Sequence, residues 1–176
     1  MDALSLRELI REVVDFPEPG VSFKDITTLL ADPVGFSATI DALCAPFRED
    51  AVDAVVGIEA RGFVFSAPVA HALGAGLIPI RKPGKLPAAV DSVTYALEYG
   101  GGTLEIHLDA LPVGSRVLIV DDILATGGTA AAAAELVRRQ EAVLVGFAFL
   151  AELGFLGGRA RLGHEARIHA LIDYEA

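Results

Sequence analysis

The chain has 176 residues, of which 53% are hydrophobic and 22% charged, enough for one domain (1–176) with a sizeable core. A formal net charge of −10 argues against a nucleic-acid or anionic-membrane partner. The start, Met1 to Glu8, lacks the basic segment and apolar core of a secretion signal. The apolar run Ala142 to Ala151 is broken by Gly146 and is too short to span a bilayer. A lone Cys44 excludes an internal disulfide, so a cytoplasmic location is expected.

Leu6, Leu9, Ile10, Val13 and Val14 follow a helical spacing, predicting a helix over Leu4 to Val14 that ends before Pro17 and Pro19-Gly20. Pro33 to Phe47 reads as a second helix, with Asp32 as N-cap, Pro33 at the first position and Cys44 as a small buried residue. Ala54 to Ile58 is a buried strand, Gly62 to Leu73 a helix despite Pro68, and Gly76 to Ile80 a second strand. Arg81 to Gly102 reads as a long loop with strand pieces at its base. Leu104 to Leu108 and Arg116 to Val120 are strands, and Ala130 to Arg139 is an alanine-rich helix. Val143 to Leu150 and Ile168 to Ile172 are the last two strands. Strands alternating with helices predict an α/β fold with a mostly parallel sheet, whose ligands bind beyond the carboxyl ends of the strands. Glu59-Ala60-Arg61-Gly62, Arg81-Lys82 and Asp121-Asp122 all follow strands, so three chemically active segments should converge on one rim.

The stretch Arg116 to Thr129 is the most specific. After the apolar Val117 to Val120 come two acids, Asp121 and Asp122, then Ile123-Leu124 and the small-residue loop Ala125-Thr126-Gly127-Gly128-Thr129 before a helix. Such a loop offers backbone N–H groups, two hydroxyls and a positive helix end to one anion. The acids would repel phosphate. They suit ribose hydroxyls, a hydrated Mg²⁺, or a sugar ring that becomes positively charged. No Lys follows the second glycine, so this is not the ATP-type phosphate loop. The plainer alternative is a strand–turn–helix with threonine caps. His71, His107, His164 and His169 are scattered, without zinc-site spacing.

Val120-Asp-Asp-Ile-Leu-Ala-Thr-Gly-Gly-Thr129 closely resembles the 5-phosphoribosyl 1-diphosphate (PRPP) motif of the type I phosphoribosyltransferase family. Phe16 to Thr28, Gly57 to Phe63, Arg81 to Pro87 and Tyr95 to Gly100 resemble its adenine-specific branch, in the same order. The resemblance implies a twisted, mostly parallel sheet flanked by helices, with a mobile hood loop. It also implies transfer of phosphoribose from PRPP to adenine, giving AMP and diphosphate.

By the same resemblance, Ala125 to Thr129 take the 5′-phosphate, while Asp121 and Asp122 take the ribose and the developing ring charge. Glu59, Ala60, Arg61, Arg81 and Lys85 meet the diphosphate. Phe23 stacks on adenine, backbone near Ser22 and Lys24 reads the base edge, and Ile123 and Leu124 close the opposite face. Glu98 and Tyr99 lie on the hood, where the Glu98 carboxylate meets the imidazole edge of adenine and assists proton movement. Mg²⁺ is implied between ribose and diphosphate oxygens, held through substrate or through water to Asp121 or Asp122 rather than by a protein cage. A homodimer is implied. An enzyme for another purine base and a PRPP-sensing regulator are the alternatives. The adenine-like Phe23 and Glu98-Tyr99 segments argue against the first, and the acidic composition against the second.

Overall fold

The computed structural model describes residues 2–96, 101–164 and 166–175. The N-terminal segment departs from the predicted helix. Helix α1 spans only Ala3–Glu8, capped by Asp2, whose carboxylate accepts from Ser5 N at 2.9 Å. Arg11–Val14 is instead strand β1, antiparallel to β2 (Ser22–Asp25), with Val13 opposite Phe23. The apolar spacing misled because no core lies under the stripe's far end: Leu6 and Ile10 are buried, but Val14 is 72% exposed. Two adjacent β-branched valines then favour an extended strand.

A short helix α2 (Thr27–Ala31), absent from the sequence reading, precedes α3 (Pro33–Cys44). Asp32 caps α3 as predicted, accepting from Gly35 N at 2.7 Å, and a 3₁₀ turn at Ala45–Phe47 completes it. Cys44 is fully buried, and burial pushes its thiol up. Next come β3 (Ala54–Ile58), α4 (Gly62–Leu73) and β4 (Gly76–Ile80), on the predicted bounds. The long segment that follows carries the hairpin β5 (Val90–Ala96) and β6 (Gly101–His107). Then follow β7 (Arg116–Leu124), α5 (Gly128–Arg139), β8 (Val143–Leu153), a second 3₁₀ turn at Gly154–Leu156, α6 (Gly158–Leu162) and β9 (Arg167–Tyr174).

Strand β7 runs four residues beyond its predicted end, so Asp121 and Asp122 lie on the strand and not in a loop after it. Pairing explains the extension, since Asp121, Ile123 and Leu124 stay in register with Phe149, Ala151 and Glu152 of β8.

The central sheet is parallel, in the order β4-β3-β7-β8-β9. Alternate residues of each strand face opposite layers. Val56, Ile119 and Phe147 pack with α5 and the β5–β6 hairpin, while Val55, Leu118 and Ala148 pack with α1 to α4. The chain runs from β3 outward to β4 and then returns to the other side of β3 as β7. The strand order therefore reverses between β3 and β7, where ligands of open α/β sheets bind.

Candidate active site

The carboxyl ends of β3 and β7 meet at this reversal. After Ile58, Glu59 to Arg61 form a turn with a cis Glu59–Ala60 peptide, and α4 begins at Gly62. A Cβ built on Gly62 would lie 2.7 Å from Asp121 Oδ1 and 3.2 Å from the Val120 carbonyl oxygen. Glycine is what lets the start of α4 approach the β7 acids this closely. On the β7 side, Gly127 takes φ +78° and opens α5 without a side-chain cap. Its first-turn N–H groups are thus left for an anion.

These elements wall a cavity of about 400 Å³, within the range of small-molecule sites. Its lining brings together Ser22, Phe23 and Lys24 from β2, Glu59 and Arg61 from the turn, and Asp121 to Thr129 without interruption. Val21 beside Ser22, Ala130 beside Thr129, and Phe149 and Leu153 of β8 complete the wall; the two β8 residues were not anticipated, because nothing local in the sequence marks residues that reach a site only through the packing of neighbouring strands.

Asp122 is 4% exposed, and Arg61 Nε lies against its Oδ2 as an ion pair without hydrogen-bond alignment. Asp122 N donates to Asp121 Oδ1 at 2.9 Å. Burial, and then the neighbouring Asp122 charge, hold the Asp121 carboxyl well above the usual carboxylate range. Arg61 also lies over the Phe23 ring, its guanidinium carbon 5.6 Å from the centroid. The Phe16 ring backs Phe23 edge-on at 5.1 Å. Lys24 turns its ammonium to Glu12 at 2.8 Å and Ser22 Oγ at 2.9 Å, and over the Tyr174 ring at 4.9 Å. Its side chain is committed to the fold.

A second cavity of about 600 Å³ shares Glu59 and Thr129 with the first and is lined by Lys82, Pro83, Tyr95 and residues 101–104. Arg81 and Lys85 line neither of these two cavities. Arg81 is forked onto Glu59, with Nε to Oε2 and Nη2 to Oε1 both at 3.2 Å, and its Nη1 donates to the Lys85 carbonyl at 3.2 Å. Lys82 N donates to Glu59 Oε2 at 3.0 Å, and these donors hold the Glu59 carboxyl below its ordinary range. Lys82 lines the second cavity, while Arg81, beside it in sequence, is engaged by Glu59. Ala60 is exposed on the turn. Tyr95 was not expected to reach the phosphate loop, yet its hydroxyl lies 3.2 Å from Thr129 Oγ1. Glu98 and Tyr99 lie outside the described residues.

A β3 turn, a β7 acid pair and a glycine-threonine loop on one rim can hold a phosphorylated sugar and a flat base together. A family model for the phosphoribosyl transferase domain matches residues 33–164. The adenine phosphoribosyltransferase of Acaryochloris marina is 56% identical over 171 residues, covering 97% of this chain and 100% of that protein.

This chain belongs to the adenine phosphoribosyltransferase family.

Solved members of the family share its architecture. The crystal structure of the Rhodothermus marinus enzyme matches with TM-score 0.93 at 48% identity, covering 98% of each chain. The Saccharomyces cerevisiae enzyme, complexed with D-2,5-dideoxy-2,5-imino-altritol 1,6-bisphosphate and adenine, matches with TM-score 0.90 at 44% identity over 96% of this chain and 97% of that one. Among the described residues, no helix is long and apolar enough to cross a membrane.

Proposed function

We propose that the cavity between β3, β7 and β2 catalyses transfer of the 5-phosphoribosyl group from PRPP to adenine, releasing AMP and diphosphate. One observation carries this reading: Phe23, the Asp121–Asp122 pair and the loop Ala125 to Thr129 line a single cavity. A base, a ribose and a 5′-phosphate bound in that order span the same three groups. The relationship to enzymes named for this activity supports it, as does the yeast enzyme's complex with adenine and a sugar bisphosphate analogue.

The 5′-phosphate sits on the N–H groups and hydroxyls at the start of α5, where the helix dipole favours negative charge. Asp121 and Asp122 take the ribose hydroxyls. As the C1′–O bond to diphosphate breaks and the ring becomes cationic, the acid pair stabilises it electrostatically while adenine N9 forms the new C1′–N bond. The departing diphosphate, in the second cavity, draws Arg61 off Asp122 and meets Lys82. Glu98 takes part in moving the base proton when the hood closes. Most of the rate enhancement is then positioning and electrostatics, without a covalent intermediate.

The residues present fit Mg²⁺ held mainly by substrate. Asp122 Oδ2 is buried without a hydrogen-bond donor, and among the described residues no group of three or more His, Cys, Asp or Glu could cage a metal. One or two carboxylates, water and substrate oxygens suit this ion. When bound, Mg²⁺ neutralises diphosphate charge; Asp121 or Asp122 would hold it through water. We extend the reading to a homodimer, for which exposed Val64 on α4 and Leu77 on the edge strand β4 offer apolar surface, and to a cytoplasmic location.

The test is AMP formation by purified protein with PRPP, Mg²⁺ and each purine base in competition. Adenine should dominate. Equal or better turnover of hypoxanthine would overturn the adenine assignment, and ligand binding without turnover would favour a sensor.

A further inference from the structure

The phosphate loop does not hold its shape alone. The segment following β8 packs against its rear, backbone on backbone. A Cβ built on Gly158 would lie 2.1 Å from the Ala125 carbonyl oxygen and 3.0 Å from Gly127 N, and one on Gly127 would lie 2.6 Å from the Gly158 carbonyl oxygen. Only paired glycines permit that approach. Gly157, at φ +67°, turns the chain into it.

Nothing within α6 explains why this turn stays put, for the helix has only 5 residues and Leu162 at its far end is its one buried side chain of size. The anchor is an ion pair. Glu152, on β8 opposite Leu124 of β7, is 5% exposed and takes the Arg159 guanidinium with Nε at 3.1 Å and 3.2 Å from its two oxygens, while Nη2 also contacts Oε2. Arg159 Nη1 donates to the Ile168 carbonyl on β9 at 3.0 Å. One guanidinium thus ties the residue after Gly158 to two sheet strands. A carboxylate this buried is held only where a fork-like partner satisfies it.

We propose that the Arg159–Glu152 pair is a clamp that presses the Gly157–Gly158 turn onto the phosphate loop, making Arg159 a positioning residue for the 5′-phosphate. The proposal rests on reading Ala125 to Thr129 as the 5′-phosphate site. Without the clamp the turn withdraws, the Ala125 carbonyl loses its backing, and the N–H groups of residues 126–129 no longer converge on one point. Leu153, adjacent to Glu152, also lines the main cavity, so the clamp sits one residue behind the wall.

The experiment uses the full chain, calorimetric titration with ribose 5-phosphate, and steady-state kinetics in both substrates. Gly158→Ala and Arg159→Met should weaken ribose 5-phosphate binding and raise the KM for PRPP by about 10- to 100-fold, the scale set by a misplacement of about 1 Å. The adenine KM at saturating PRPP should move clearly less than the PRPP KM, because the turn backs the phosphate loop directly and touches the base wall only through Leu124, in register with Glu152. Arg159→Lys keeps a cation beside Glu152 but not the fork, so it folds and falls between wild type and Arg159→Met in phosphate affinity. Folded variants with unchanged ribose 5-phosphate affinity, or equal losses for both substrates tracking a lower Tm, refute the clamp. Thr126→Val separates the two claims. If it weakens ribose 5-phosphate while Gly158→Ala and Arg159→Lys do not, the clamp alone fails. If Thr126→Val also has no effect, the phosphate site itself is elsewhere.

Discussion

Phe23→Ala isolates the base-stacking wall from everything else in the site. Phe23 is half-buried on β2, its ring backed by Phe16 at 5.1 Å and faced by the Arg61 guanidinium at 5.6 Å. An aromatic stack on a base contributes about 1–3 kcal/mol. Adenine stacked there displaces the guanidinium from the ring, which forfeits an exposed cation–π contact of about 0.5–1 kcal/mol. Taken at mid-range, the net contribution is then about 1 kcal/mol, or roughly 5- to 10-fold in affinity. The alanine variant should therefore raise the adenine KM by about that factor, leave the PRPP KM within about twofold, and keep Tm close to wild type, since Phe23 is not a core residue. Initial-rate kinetics in both substrates, with a thermal melt, decide it. An unchanged adenine KM, or a Tm drop of more than about 5 °C, would return Phe23 to a packing role.

Three further outcomes follow from the same geometry. Folding raises the proton affinity of Asp121, so its contribution to stability is whole below its unfolded value of 3.8 and is lost as pH rises through the raised folded value. Asp121→Asn should remove that loss, lifting Tm at neutral pH at about 2–4 °C per kcal/mol while turnover falls by about 10²–10³; melts across pH 4–8 that parallel wild type would contradict the assignment. Gly62→Ala places a methyl 2.7 Å from Asp121 Oδ1 and should lower kcat about 10- to 100-fold in a folded protein; wild-type kcat would show that the approach of α4 to β7 does not position the acid. Glu59→Gln weakens the two Arg81 contacts, each discounted to about 1 kcal/mol by partial exposure. The PRPP KM should rise about fivefold with adenine unaffected, and a lower PRPP KM would mean that freed Arg81 binds diphosphate better than pinned Arg81 organises the loop.

The parts of the fold legible in the sequence are those whose signals are local. β3, α4 and β4 lie on their predicted bounds because each is a continuous apolar run or a helix closed by Gly74 at φ +68°. Asp32 with Pro33 marked the start of α3 for the same reason. The loop Ala125 to Thr129 was legible because its glycine and hydroxyl content is itself the chemistry. Tertiary packing decided the rest. Arg11–Val14 has helical spacing but no core beneath it, so it pairs with β2. Arg81 has the charge to meet diphosphate, yet Glu59, distant in sequence, claims it across the sheet rim. Glu152, Arg159 and Gly158 carry no motif, and they acquire meaning only because β8 lies beside β7 and delivers the following turn to the back of the phosphate loop. Sequence by itself determined which groups could do the chemistry, since residue type sets charge, hydrogen bonding and backbone freedom. Only the tertiary structure decided which of those groups share a cavity and which neutralise one another, since that depends on strand order and on contacts between residues far apart in the chain.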